Sequence, residues 1–143
     1  MEQKVKNKIK ELLNSKSLKA TKTRKDVLQE VLQNKKATPY SNIQKAMRDS
    51  DRVTLYRTME TLVENGIIHE AYRQENEVYY AICNIGCSNN SHTHHHLHFM
   101  CKSCETVSCI EIEETNKPNI PNIKIEDFSI SAEGLCQNCL ATN

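Results

Sequence analysis

Two Cys-x-x-Cys pairs, Cys101–Cys104 and Cys136–Cys139, lie 31 residues apart in a chain of 143. Each pair presents two thiolates on one tight turn. Two such turns complete a tetrahedral all-sulfur site for zinc, an ion with no geometric demand of its own and a preference for soft donors. Four cysteines leave no open coordination position, so the predicted role is structural, and the chain must fold so that the two turns meet. With 38% hydrophobic residues, five tyrosines and two phenylalanines, the cores are modest and a metal staple would supplement them. A redox pair fits poorly, because there are two pairs and no surrounding βαβ pattern. Seven cysteines is an odd number, Met1–Lys10 has no apolar signal core, and no run of about 18 apolar residues occurs. The expectation is a reducing, cytoplasmic setting without a membrane span.

The segment before the first knuckle adds a second set of ligands. His92–Cys104 holds five of the six histidines. In an extended strand His94, His96 and His98 point to one side and Leu97 and Phe99 to the other. Three imidazoles on one strand face suit a borderline divalent metal. A solvated polar loop is the alternative; a tag does not fit an internal run broken by Thr93 and Leu97. His95 lies beside the set. Completing thiolates could be Cys87, before the histidines, or Cys109, on the adjoining strand, where a buried strand cysteine is an equal reading. Cys83 is expected to pack, and His69 and Glu77, which could reach the site from the other half, are expected at the surface.

The N-terminal half reads differently. Val5, Ile9, Leu12 and Leu13 mark an amphipathic helix. Val27, Leu28, Val31 and Leu32 mark a second, with Thr23 as its predicted N-cap. Pro39 opens a short third helix containing Ile43, Ala46 and Met47. Ser50 or Asp51 caps a fourth, lined by Leu55, Met59, Leu62 and Val63 and stopped by Gly66. Ile67–Tyr72 and Val78–Ile82 then read as a hairpin. This is the winged helix-turn-helix pattern. Beyond the polar stretch 83–91, strands are predicted at His94–Met100, Thr106–Ile112 and Ile123–Glu133. The predicted class is α+β: a winged helix-turn-helix DNA-binding domain over 1–82, a linker over 83–91, and a small α/β dimerisation and metal-binding domain over 92–143.

Charge follows the same division. The net charge of +1 is the sum of +5 over residues 1–82 and −4 over 83–143, and residues 1–48 alone carry +9. A basic half suggests a polyanionic partner. On the fourth helix Thr54, Arg57, Thr58 and Thr61 are expected to face outward, flanked by Tyr56. Arginine can hold phosphate or guanine, and tyrosine or threonine can meet thymine methyls and backbone oxygens. Arg52, Thr54, Tyr56 and Arg57 are the candidate operator contacts, with Lys22 and Arg24 on phosphates.

Three passages together resemble the ferric uptake regulator (Fur) superfamily of bacterial metalloregulators. Leu18–Leu28 is similar to the family's second-helix opening with its Thr-x-x-Arg. Val53–Ile68 looks like its recognition helix. His94–Cys104 with Cys136–Cys139 looks like the His-rich strand and four-cysteine zinc site of its dimerisation domain. The resemblance covers essentially the whole chain. It implies a cytoplasmic homodimer that binds a palindromic double-stranded operator when a regulatory metal is bound, with no membrane role and no small-molecule substrate. It also implies structural Zn2+ and a second divalent metal. Several usual ligand positions differ: Ala37, Asn89, Asn90, Cys109 and Phe128 stand where family sensors carry histidine or carboxylate. Losing carboxylates and gaining thiols favours Zn2+ over Fe2+ or Mn2+ at a regulatory site drawn from His96, His98, His94, Cys87, Cys109 and His95. The expected function is a zinc-leaning repressor of metal-uptake or stress genes, with an iron or peroxide sensor as the alternative.

Two other classes fit less well. A zinc hydrolase needs an open metal position and a general base, yet there is no His-Glu-x-x-His and no glutamate within His92–Cys104. A metal-buffering protein would leave the winged-helix half without a purpose. The chain is therefore not expected to be an enzyme.

Overall fold

The structure is a computed structural model of the chain and describes residues 1–34, 36–82, 96–111, 118–125 and 130–142. Helix α1 (Glu2–Ser15) buries Ile9, Leu12 and Leu13. It stops where Ser17 takes a positive φ of 54° and the Leu18 amide returns to the Leu13 carbonyl at 2.9 Å. Helix α2 (Lys22–Gln33) is capped by Thr21 rather than by Thr23. The Thr21 backbone is extended and its hydroxyl accepts from the Arg24 amide, the arrangement an N-cap requires, whereas Thr23 lies inside the first turn.

A two-residue strand β1 (Thr38–Pro39) leads straight into α3 (Tyr40–Ala46). It is too short to show in a residue pattern. The Ser41 amide in the first turn of α3 donates to the Glu77 carboxylate at 3.0 Å, so Glu77 is half-buried and caps a helix. Helix α4 (Arg52–Glu64) is capped by Asp51, which accepts from both the amide and the hydroxyl of Thr54. It ends at Asn65, and Gly66 takes the φ of 68° that turns the chain into the wing. Strands β2 (Ile68–Gln74) and β3 (Glu77–Ile82) form that wing, and the first sheet has the order β1-β3-β2. Ile9, Leu13, Val27, Leu28, Ile43, Leu62 and Ile68 close one core among the helices and the base of the wing. Each fully buried aliphatic side chain there contributes about 1.5–3 kcal/mol.

The second sheet, β5-β4-β6, comprises β4 (His96–Cys101), β5 (Val107–Glu111) and β6 (Ile130–Gly134). β5 runs antiparallel to β4, while β6 runs parallel to it, with Met100 opposite Glu133. The third strand is thus shorter than the predicted Ile123–Glu133: residues 123–125 follow a turn, and Asn122 there has a φ of 64°. The second knuckle runs into a short helix, α5 (Gln137–Ala141). No helix among the described residues is long and apolar enough to cross a membrane.

Strand β2 joins the two sheets because both its faces are covered. Ile68 enters the helical core, and its neighbour His69, on the other face, is also buried. The pairing with β3 slips between Glu70 and Tyr72, which makes Ala71 the extra residue of a β-bulge. Ala71 packs with Ala37, Tyr79, Met100 and Val107 in a second apolar cluster that spans the two sheets. The Ala37 amide donates to the Val107 carbonyl at 2.9 Å across the same seam. Ala37 is apolar and buried there.

Candidate metal centres and nucleic-acid interface

The sulfurs of Cys101, Cys104, Cys136 and Cys139 all lie within 4.8 Å of one another. Two turns bring them together. The Cys101 amide donates to the Thr106 carbonyl and the Glu105 amide to the Cys101 carbonyl, both at 2.9 Å. That tight loop requires Glu105 in the left-handed region, at φ 59°. The Lys102 amide donates to the Gly134 carbonyl at 2.8 Å, placing the end of β6 beside the first knuckle. The Cys136 amide then points at the Cys101 sulfur, 3.4 Å away.

The spacing fits the predicted metal. Cys104 and Cys136 have their sulfurs 3.8 Å apart, and zinc–sulfur bonds of about 2.3 Å at tetrahedral angles give an edge of roughly 3.8 Å. The electrostatics agree. Amide groups of Cys104 and Cys136 aimed at Cys101 lower its thiol to about 6. The Thr106 hydroxyl and amide lower Cys104. The Ser103 hydroxyl also pulls Cys139 down, but crowding by Cys136, Cys101 and Cys104 outweighs it and pushes that thiol up to about 11. Four sulfurs this close repel as thiolates, and a divalent cation relieves that repulsion.

A second cluster lies at the seam between the sheets. His69 of β2, His98 of β4 and Cys109 of β5 offer ligand atoms within 4.8 Å of one another. His98 is opposite Cys109 in the β4–β5 register. The His69 and His98 rings lie 5.2 Å apart between centroids, tilted by 30°, and both residues are only 8% exposed. The Cys109 sulfur is 3.5 Å from His69 Nε2. Zinc–sulfur and zinc–nitrogen bonds of about 2.3 and 2.05 Å predict an edge of roughly 3.5 Å at a tetrahedral angle and roughly 3.1 Å at an octahedral one. The Cys109–His69 edge therefore matches a tetrahedral ion. Cys109 keeps part of its surface in solvent, but the packed side of the thiol is desolvated, which pushes it up to about 11.

His69 is the correction to the sequence reading. Expected at the surface, it is buried, and it is the wing's contribution to the cluster. The signal was present in the alternation Ile68-His69-Glu70-Ala71: if Ile68 faces the helices, His69 and Ala71 face whatever covers the other side. Glu77, the other residue considered from the wing, caps α3 instead. Cys109 is beside two imidazoles. His96 opens β4, while His94, His95, Cys87, Cys83, Asn89, Asn90 and Phe128 fall outside the described residues, as does the 83–91 linker.

The fourth helix presents a mixed surface. Arg52, Thr54, Tyr56 and Arg57 are exposed, Tyr56 at 60%. Thr58, expected to face outward, is buried and returns its hydroxyl to the Thr54 carbonyl at 2.8 Å. The groove between α3 and α4, about 680 Å³, is lined by Tyr40, Gln44, Lys45, Arg48, Arg52 and Tyr56 among others. Lys45 and Arg48 are basic groups on this side that the sequence reading did not single out. Lys22 and Arg24, read from sequence as phosphate contacts, have partners within the chain: Lys22 pairs with Asp26 at 2.6 Å and Arg24 donates to the Lys19 carbonyl at 2.8 Å. The Lys22 pair is an exposed one of small worth, so it leaves the ammonium able to exchange partners.

The chain's relatives can be compared with this geometry. Residues 15–135 match the family model described as the ferric uptake regulator family. Comparison with curated protein sequences gave no match. Among solved structures, the chain is similar to a zinc uptake regulator complexed with zinc and DNA, at 20% identity over 98% of this chain and 95% of that one, with a TM-score of 0.70. It is similar to holo XcZur at 18% identity over 94% and 96%, with a TM-score of 0.66. It also resembles the Helicobacter pylori ferric uptake regulator Fur, whose structure is reported to reveal three functional metal-binding sites. That likeness is at 14% identity over 96% and 93%, with a TM-score of 0.56. At such identities the shared property is the fold. The family match, which spans α2 to α4, the wing and the first knuckle, carries further: the chain belongs to the ferric uptake regulator family.

Proposed function

We propose that this chain is a zinc-leaning, metal-dependent DNA-binding repressor that acts as a cytoplasmic homodimer on a palindromic operator. The observation that carries the reading is the His69–His98–Cys109 cluster, whose three donors come from three strands on both sides of the seam. The zinc and DNA named for a similar structure support it. Cys101, Cys104, Cys136 and Cys139 would hold a structural zinc. His69, His98 and Cys109 would hold the regulatory ion, with His96, His94, His95 or Cys87 available to complete it. Bound there, a zinc ion supplies a cross-link between the wing and the second sheet.

The residues then divide the work. Arg52, Thr54, Tyr56 and Arg57 read the operator from the exposed side of α4, with Lys22 and Arg24 on phosphates. β2 carries the signal to them, because Ile68 packs in the same core as Leu55, Met59 and Leu62 of α4. Fixing His69 fixes the angle of α4 against the second sheet, and in a dimer it fixes the separation of two such helices. Metal dependence is then a population shift toward the form in which both helices reach successive major grooves. Two nitrogens and a thiolate favour zinc over iron(II) or manganese, which prefer oxygen-rich sites of higher coordination number.

The test is retardation of promoter DNA by the protein with added zinc, iron(II) or manganese, at more than one salt concentration. Zinc should strengthen retardation most, and affinity should fall steeply with salt. Retardation independent of every metal would refute the reading.

A further inference from the structure

The metal cluster is not the only attachment between the wing and the second sheet. The Tyr72 hydroxyl donates to Glu133 Oε1 at 2.6 Å, linking β2 to β6 across 61 positions of sequence. Glu133 is held from behind. It is opposite Met100 in the parallel β4–β6 register, the Lys102 ammonium lies 3.7 Å from its other oxygen, and its neighbour Gly134 accepts from the Lys102 amide. The Tyr72 ring is also held, edge-on to Tyr79 at 6.1 Å and 65°. Tyr79 belongs to the buried cluster of Ala37, Ala71, Met100 and Val107. The Ala37–Val107 backbone bond closes the far side. None of these groups is a metal ligand.

We propose that Tyr72 and Glu133, above the Ala37–Ala71–Tyr79–Met100–Val107 cluster, form a metal-independent latch that holds His69 within reach of His98 and Cys109. His69 and Tyr72 are three residues apart on one strand, roughly 10 Å at 3.3 Å per residue. These attachments, at Tyr72 and in the cluster beneath it, leave the His69 end of the strand to be fixed by the ion. A further one at His69 fixes the angle. The latch therefore does not replace the regulatory ion but raises the local concentration of its third ligand, so that less free metal is needed to close the site. It also gives the four-cysteine zinc a second duty. By holding the end of β6 against the first knuckle, that zinc positions Glu133.

This inference rests on the proposed regulatory role of the His69 cluster. The test is titration of the full-length protein, carrying its four-cysteine zinc, with cobalt(II) as an optical probe of the second site, beside Tyr72→Phe, Glu133→Ala and the double variant. Neither residue is a ligand, and both have part of their surface in solvent, so the variants should fold with one zinc retained. Each single variant is expected to require roughly three- to tenfold more cobalt for half-saturation, with an unchanged sulfur-to-cobalt absorption band. The double variant should lose no more than either single one, since both remove the same bond. Unshifted titrations in the single variants, or losses that multiply in the double variant, would overturn the latch while leaving the regulatory site standing. A parent protein that takes up no second metal overturns both.

Discussion

Replacing His69 by alanine tests the assignment that separates this structure from its sequence. In the proposed site the three donors would share one ion, and Cys109 Sγ lies at the tetrahedral edge distance from His69 Nε2. Structural zinc held by four protein ligands is worth roughly 10–16 kcal/mol, so one ligand accounts for about 2.5–4 kcal/mol. At about 1.4 kcal/mol per decade, losing His69 should weaken the second site by roughly a hundred- to several-hundredfold. The assay is competition against a chromophoric zinc chelator, with bound zinc counted by elemental analysis. The parent should hold two zinc ions per chain and His69→Ala one under the same competition, the remaining ion belonging to Cys101, Cys104, Cys136 and Cys139. Because His69 is buried, Cys109→Ser provides a second variant at a more open position, and thermal melts of the one-zinc forms should coincide. Affinity within threefold of the parent in both variants would make the cluster a packing contact and refute the reasoning. Loss of both ions together would show that the two sites do not separate as described.

Tyr56→Ala should reduce discrimination between operator and scrambled duplex by roughly ten- to a hundredfold while leaving zinc content unchanged; an unaltered preference in competition retardation assays removes Tyr56 from the reading surface. Glu105→Gly should raise the melting temperature of the zinc-loaded protein, because a side chain at φ 59° costs about 1–2 kcal/mol and glycine's added unfolded-state entropy returns only about 0.5–1 kcal/mol of that gain. A lower melting temperature would contradict the strain. Asp51 is held below its ordinary 3.8 by the Thr54 hydroxyl and amide. A depressed carboxylate stabilises the fold above its unfolded pKa and loses that contribution as pH falls through the folded value. The melting-temperature gap between parent and Asp51→Asn should therefore hold steady above about pH 5 and close on acidification below 3.8; a gap independent of pH would remove the charge from the cap.

The features readable from sequence were those defined by short spacing. Two Cys-x-x-Cys turns, a cap at Ser50 or Asp51, the Gly66 stop and the apolar stripes of α1, α2 and α4 each need only a few neighbouring residues to specify them. Errors fell partly between near neighbours, as with Thr21 rather than Thr23 at the α2 cap, and partly where the deciding partner was distant. Thr58 was a local miss: with Leu55, Met59 and Leu62 it completes the i, i+3, i+4, i+7 spacing of the buried face, and its hydroxyl is satisfied by the Thr54 carbonyl there. His69 could be placed only by knowing that a second sheet covers the outer face of β2. Ala37 could not be read from sequence as the backbone partner of Val107 and a member of an apolar seam. The start of β6 was read too early because alternation over Ile123–Glu133 does not reveal a turn at Pro121 and Asn122.

The parallel pairing of β4 and β6 has a kinetic consequence. An antiparallel neighbour such as β5 is reached through the short first knuckle, whereas β6 can pair only after residues 102–129 have been gathered into a closed loop. Such non-local pairing is slow, because chain entropy is lost before any ladder bond forms. The helices and wing are built largely from neighbouring segments and carry no such delay. Zinc captured by the two knuckles would join the ends of that loop much as a covalent cross-link does. During synthesis or after zinc starvation, the chain should therefore pass through a species with a formed reading head and an unfinished hinge, and the rate of zinc loading should determine how long that species lasts.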